Sequence, residues 1–299
     1  VDVHIKDCIK LATHVTTTTK VFASEISKLN KSVHIFPNAI DHKEKQYIPQ
    51  PTKSSKVRIG WLGGSSHMED LQILNGVFGR LNSERSGKFQ TVLCGYDLRG
   101  TMTEIDPVTK EQKNRPILPH ESVWYKYEQI FTSNHNNIND EYKKELLEFK
   151  KMPISGDLES DYRRVWTKPI TTYASNYNYF DVSLAPLKEH IFNKVKSQLK
   201  VIESGFHKKA LILQDYGPYT VDCIHAMDKG GTINSNGNAL MIPKEKNHKL
   251  WFKYCKKLID NPSLVEDLGE RLYETVFPRY TLETVTKDRA EWYKYLITK

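Results

Sequence analysis

The residues best placed to do chemistry lie in one short segment, 192–205, with the sequence FNKVKSQLKVIESG. Read as a helix, it sets Lys196, Lys200 and Glu203 at i, i+4 and i+7, on one face. Leu199, Ile202 and Phe206 fall on a different face, suited to packing on a sheet. The segment presents two cations near its N-terminal end and a carboxylate about one turn later. Cations and helix dipole together suit a diphosphate, and the carboxylate suits hydroxyl donors such as those of a ribose. The same spacing also describes a solvated Lys–Glu surface stripe.

A second group lies earlier in the chain, at Gly63-Gly64-Ser65-Ser66 followed by His67. Such a turn lets backbone approach a ligand closely, and a helix opening after it offers unpaired N–H groups to an anion. It matches neither the dinucleotide fingerprint nor the Walker A loop. A plain strand-to-helix turn with Ser66 as its N-cap and His67 exposed in the first helical turn is the alternative reading.

These residues need elements to position them. Residues 12–18 are β-branched and read as a strand, 20–29 as a short helix and 33–36 as another strand. A polar, Pro- and Lys-rich stretch at 41–56 reads as a linker. Strand and helix then alternate: a strand at 56–62, a helix over roughly 67–83, a strand at 89–94. The rhythm breaks at 97–165, polar and rich in Asn and Lys, which reads as an insertion with one helix near 140–150. It resumes with a strand at 180–185, the helix near 194–206, a strand at 210–213 and helices near 248–260, 263–275 and 281–296. Strands alternating with helices predict a parallel sheet with helices on both faces, an α/β Rossmann-like fold. Such sheets bind ligands at the carboxyl ends of their strands. Those ends would carry Gly63–Ser66, Gly95–Asp97, Pro186–Asn193 and Asp215–Tyr219. Trp124, Tyr125, Tyr127 and Phe131 in the insertion suit either stacking on a sugar or, the favoured reading, anchoring that segment to the domain.

Composition narrows the classes. The 299 residues are 38% hydrophobic and 27% charged, as in a globular domain. No apolar run approaches the roughly 20 residues that span a bilayer. The four cysteines, Cys8, Cys94, Cys223 and Cys255, are far apart and form no C-x-x-C pair. That speaks against zinc and a disulfide framework and fits a reducing compartment, hence an expected cytoplasmic location that leaves room for peripheral membrane association. A net charge of +8 suits an anionic partner without choosing among nucleotide, nucleic acid and lipid headgroup.

Taken in order, several segments resemble group 1 glycosyltransferases, the retaining enzymes of the GT-B fold, over most of the chain. Residues 14–19 and 33–41 (VHIFPNAID) are similar to the end of that family's N-terminal domain and the crossing into the second. Residues 59–67 (IGWLGGSSH) with Asp70 and Leu71 resemble the first strand and turn of its donor-binding domain. Leu184–Leu187, then Phe192, Asn193, Lys196, Ser197, Lys200 and Glu203, resemble its donor-site helix, and Gly217–Tyr219 and Asn236–Met241 also have counterparts.

The resemblance implies a transferase moving a sugar from a nucleotide-diphosphate sugar to an acceptor that could be a glycan, lipid, protein or modified DNA. It places Gly63, Gly64, Ser65, His67, Asn193, Lys196, Ser197 and Lys200 on the donor diphosphate side, and Glu203 on the ribose. The family's first donor-site glutamate would fall at position 195, which is Val195 here. With no Asp-x-Asp motif in the chain, lysines rather than a metal ion are expected to neutralise the diphosphate, and no cofactor is expected. The implied domains are the end of an acceptor domain at 1–40, a linker at 41–56, the nucleotide-sugar domain at 57–280, and a helix at 281–299 crossing back. Most of the acceptor domain would lie outside these residues, so the chain is expected to bind a nucleotide but to transfer sugar poorly by itself. A non-catalytic nucleotide- or glycan-binding module is the competing expectation.

Overall fold

The computed structural model describes residues 2–50, 52, 54–132, 161–243 and 247–298. It opens with a helix, Asp2–Leu11, that the sequence pattern does not announce. Strands β1 (Val15–Thr17) and β2 (Val33–Ile35) then pair in parallel around the helix Lys20–Ile26. Thr19 caps that helix by accepting from the Phe22 N–H, which satisfies one of its open backbone donors.

Among the described residues, six strands build the main sheet: β3 (Val57–Leu62), β4 (Phe89–Tyr96), β7 (Tyr162–Trp166), β8 (Val182–Ala185), β9 (Ala210–Gln214) and β10 (Leu240–Ile242). They run in the order β10-β9-β8-β3-β4-β7, every neighbouring pair parallel. Every residue of β3 and β4 is buried, as expected for a parallel sheet covered on both sides. On β3, Val57, Ile59 and Trp61 face a core shared with Leu81, Phe131 and Trp251 from the helices Val77–Arg85, Val123–Thr132 and His248–Ile259. The other face is covered by the helix Leu199–Phe206 and the turn Tyr173–Tyr179. Gly60 is required there, because a side chain would overlap the ring of Phe180. The parallel α/β sheet with helices on both faces is therefore the architecture observed.

The region 97–165 differs from its sequence reading. It contains an exposed antiparallel hairpin of β5 (Thr101–Ile105) and β6 (Gln112–Pro116), consistent with an addition to the sheet. Yet the helix Val123–Thr132 sits in the core, and β7 completes the sheet beside β4. Arg163 and Arg164 disguise β7 as surface. Arg164 instead donates to Glu128 at 2.6 Å in an ion pair with both side chains 1% exposed. Trp124, Tyr127 and Phe131 are buried, so these aromatics anchor the segment. The helix expected near 140–150 lies outside the described residues. The helix expected over 67–83 is broken as well: Met68–Leu71 ends in a 3-10 turn, and a new helix starts after Gly76, whose φ of +82° breaks the helical path.

The two chain crossings run side by side. Ile40 N–H donates to the Tyr280 carbonyl, and Leu282 N–H donates to the Ile40 carbonyl. The stretch read as a linker packs rather than dangles, with Gln46 buried and its carbonyl bonded to His207 Nε2 at 2.9 Å. The last helix, Leu282–Ile297, returns to the N-terminal strands. Trp292 meets His34 at 4.4 Å and Phe36 at 5.4 Å between ring centroids, while Tyr293 and Tyr295 remain exposed.

Candidate nucleotide site

Strand order reverses between β3 and β8, and open α/β sheets bind ligands at the carboxyl ends flanking such a reversal. Gly63–His67 follows β3, and the loop 186–198 follows β8. Both predicted groups therefore meet at one rim.

The turn after β3 is held from the side. The Tyr127 hydroxyl donates to the Ser65 carbonyl at 2.8 Å and accepts from the His67 N–H at 2.9 Å. Nothing in the local sequence links Tyr127 to this turn, 60 residues away. Gly95, at φ +96°, passes so close that a side chain there would overlap the Gly63 carbonyl oxygen. Around Gly64 a side chain would meet only open space. Ser66 is not the cap: His67 occupies the N-cap position and its side chain makes no capping bond. The following helix is only four residues long, and the N–H of its N-cap residue His67 is already taken by the Tyr127 hydroxyl.

The second group also departs from one continuous helix. A short helix, Ile191–Lys194, is followed by a break, and the next helix begins at Leu199. Only Lys200 and Glu203 share it. Lys196 and Ser197 lie in the break, where Lys196 covers the Phe192 ring at 5.1 Å and Ser197 Oγ accepts from Asn38 Nδ2 at 2.9 Å. Val195 ends the short helix.

Electrostatics tie these pieces together. Lys200 Nζ donates to the Leu62 carbonyl and lies 5.2 Å above the Trp61 ring. Burial pushes its pKa down to about 8; Lys196 adds to the fall, while Glu203 and Asp70 oppose it. The His67 imidazole is held below its usual value by burial, with Lys200 and Lys196 acting in the same direction against the hydrogen bond to Asp70. Asp70 joins the two loops. Its Oδ2 meets His67 Nδ1 at 2.8 Å, while Oδ1 accepts from the Lys188 N–H at 2.8 Å and from Asn193 Nδ2 at 3.0 Å. Burial alone would raise this carboxyl; the bonds from His67 and Lys188 outweigh it and hold it below the usual carboxylate range. The Asn193 amide nitrogen is thus engaged, and it also donates to the Lys188 carbonyl.

Glu203 is less open than its spacing suggests. It is buried, and its carboxylate accepts from the hydroxyls of Tyr173 and Tyr177, the latter at 3.0 Å. Both tyrosines arrive from the turn before β8, a partnership that helical spacing does not reveal. Burial raises its pKa, opposed by those tyrosines and Lys200. Among the described residues, no three His, Cys, Asp or Glu side chains gather as a metal site requires.

No family model matches this chain, and no curated protein matches it in sequence. Its structure is similar to that of sucrose-phosphate synthase from Thermosynechococcus elongatus, at 12% identity and a TM-score of 0.62, covering 98% of this chain and 61% of that one. It is also similar to Anabaena HepE, determined in complex with UDP and glucose, at 9% identity and a TM-score of 0.63, covering 98% and 66%. The catalytic domain of Arabidopsis thaliana starch synthase IV, bound to ADP and acarbose, matches at 13% identity and a TM-score of 0.55, covering 99% and 58%. This chain thus spans about three fifths of the length of these proteins. At such identities the likeness is one of fold, and the chain has the fold of GT-B glycosyltransferases.

Proposed function

We propose that this chain forms the donor-binding part of a glycosyltransferase that moves a sugar from a nucleotide-diphosphate sugar to an acceptor. One observation carries the reading: where strand order reverses, Lys200 donates to the Leu62 carbonyl just before the Gly63–Ser65 turn, and Asp70 ties the loop that leads to Lys196 to the helix after that turn. Cations held in place and withdrawn from water stabilise the charge that develops on a leaving diphosphate without reorganising at the moment of bond cleavage. Lysine neutralisation without a metal ion, and retention of the anomeric configuration, belong to the same proposal; retention rests on the sequence resemblance alone. Glu203 would reach a ribose only by sharing its carboxylate with Tyr173 and Tyr177, which a carboxylate with about four acceptor sites allows.

A non-catalytic nucleotide- or glycan-binding module is the second reading, favoured by Val195 and by the two tyrosines on Glu203. Calorimetry with UDP, GDP, ADP and their sugar conjugates, without metal, tests the first. Micromolar binding of one nucleotide, weakened at least tenfold by Lys200→Ala (about 1.4 kcal/mol), supports the donor site. Absence of binding by any of them rejects it. Turnover of the bound conjugate, by the longest chain that carries these residues, separates enzyme from module.

A further inference from the structure

We infer that His67 reads a hydroxyl group of the transferred sugar through Nε2 as a hydrogen-bond acceptor, with Asp70 as the positioning residue that sets this polarity. The inference rests on the donor-site reading above. It differs from the expectation that His67 serves the diphosphate.

The polarity follows from the bonds around Asp70. An ionised carboxylate only accepts, so Nδ1, 2.8 Å from Oδ2, must carry the proton. In a neutral imidazole that leaves Nε2 as a bare acceptor. Among the described residues, the groups that act on His67 leave it in the neutral form. Lys196 and Lys200 from the break and helix after β8 disfavour a second positive charge, as does burial, while Asp70 favours it but does not prevail. Tyr127, from the helix Val123–Thr132, spends its hydroxyl on the Ser65 carbonyl and the His67 backbone. The Trp61 ring closes another side at 5.7 Å. Nε2 itself makes no hydrogen bond among the described residues, and the side chain is 21% exposed. A neutral acceptor has nothing to offer a phosphate oxygen, which also accepts. A sugar hydroxyl is the donor it matches.

Asp70 also supplies an unusually clean perturbation. Oδ1 faces two donors, the Lys188 N–H and Asn193 Nδ2. In Asp70→Asn the remaining oxygen must stay on that side. The new amide nitrogen then faces His67 Nδ1 and donates to it, which forces the proton onto Nε2. The substitution is nearly isosteric, keeps both loop contacts, and turns the acceptor into a donor.

Two measurements test this. Long-range 15N correlation spectra, with the His67 signals assigned by their loss in His67→Ala, are expected to show the Nδ1–H form in the unaltered chain and the Nε2–H form in Asp70→Asn. Calorimetry then compares UDP with UDP-glucose, GDP with GDP-mannose and ADP with ADP-glucose. For the nucleotide that binds, Asp70→Asn and His67→Ala are each expected to weaken the conjugate about tenfold more than the bare diphosphate, the scale of one lost hydrogen bond to a partner left unsatisfied. His67→Ala provides the same comparison if Asp70→Asn does not fold. An Nε2–H form in the unaltered chain, or equal losses for diphosphate and conjugate, would overturn the inference and leave the donor site standing. Failure of every nucleotide to bind the unaltered chain would remove both.

Discussion

Nucleotide affinity is expected to depend on pH through Lys200. Its ammonium is withdrawn from water, donates to the Leu62 carbonyl and titrates at about 8 rather than 10.5, chiefly because of burial. The folded-state pKa is depressed, so the charge is present below about pH 8 and lost above it. A bound diphosphate stabilises the charged form. If it restores the ordinary 10.5, proton linkage makes affinity fall about tenfold between about pH 7 and about pH 9, or ~1.4 kcal/mol. The ligand does not mask the effect, because a terminal phosphate has its second ionisation near pH 6 and its charge is constant over this range. Calorimetry in two buffers of different ionisation enthalpy should register uptake of about half a proton near pH 8. Lys209 is also pushed to about 8, but it precedes β9 at the opposite rim and remains in Lys200→Met. Affinity that is flat from pH 7 to 9, or a fall of equal size in Lys200→Met, would refute the reasoning.

Other substitutions probe the scaffold beneath the site. Gly95→Ala places a side chain at φ +96° against the Gly63 carbonyl; a stability loss of about 1–3 kcal/mol in urea titration is expected, together with weakened nucleotide binding as the turn shifts. Arg164→Met leaves Glu128 buried without its cation and should cost about 3–5 kcal/mol, whereas Arg164→Met with Glu128→Leu should recover most of it. Glu203→Gln replaces one acceptor oxygen with a donor facing a tyrosine hydroxyl; urea titration should show a loss of about 1–3 kcal/mol, and an unchanged midpoint would mean that the tyrosines turn away at no cost.

How much was legible beforehand differs by feature. The apolar runs of β3, β4, β8 and β9, with helical pattern between β3 and β4 and again between β8 and β9, announced the parallel sheet, because burial on both faces leaves continuous apolar runs. Gly63–Ser66 and Pro186–Asn193 were legible as candidate site loops because strand ends in such a sheet share a rim. β7 was hidden because its arginines look solvated until Glu128 is seen opposite Arg164. The single helix through Lys196 was an over-extension, since a spacing of four fits a helix whether or not the chain breaks between Val195 and Leu199.

Local pattern by itself determined the fold class, the order of the loops and the residue types brought to the rim, because periodicity and turn chemistry act over a few neighbouring residues. Only the tertiary structure decided what each side chain does there. It gave the turn to Tyr127, the Glu203 carboxylate to Tyr173 and Tyr177, and the proton on His67 to Asp70, while Asn193 became a brace between loops. Some of those partners stand more than a hundred residues apart, as Asp70 and Asn193 do. Their pairing follows from which buried donors and acceptors the packed sheet leaves facing one another, and local spacing carries no record of that.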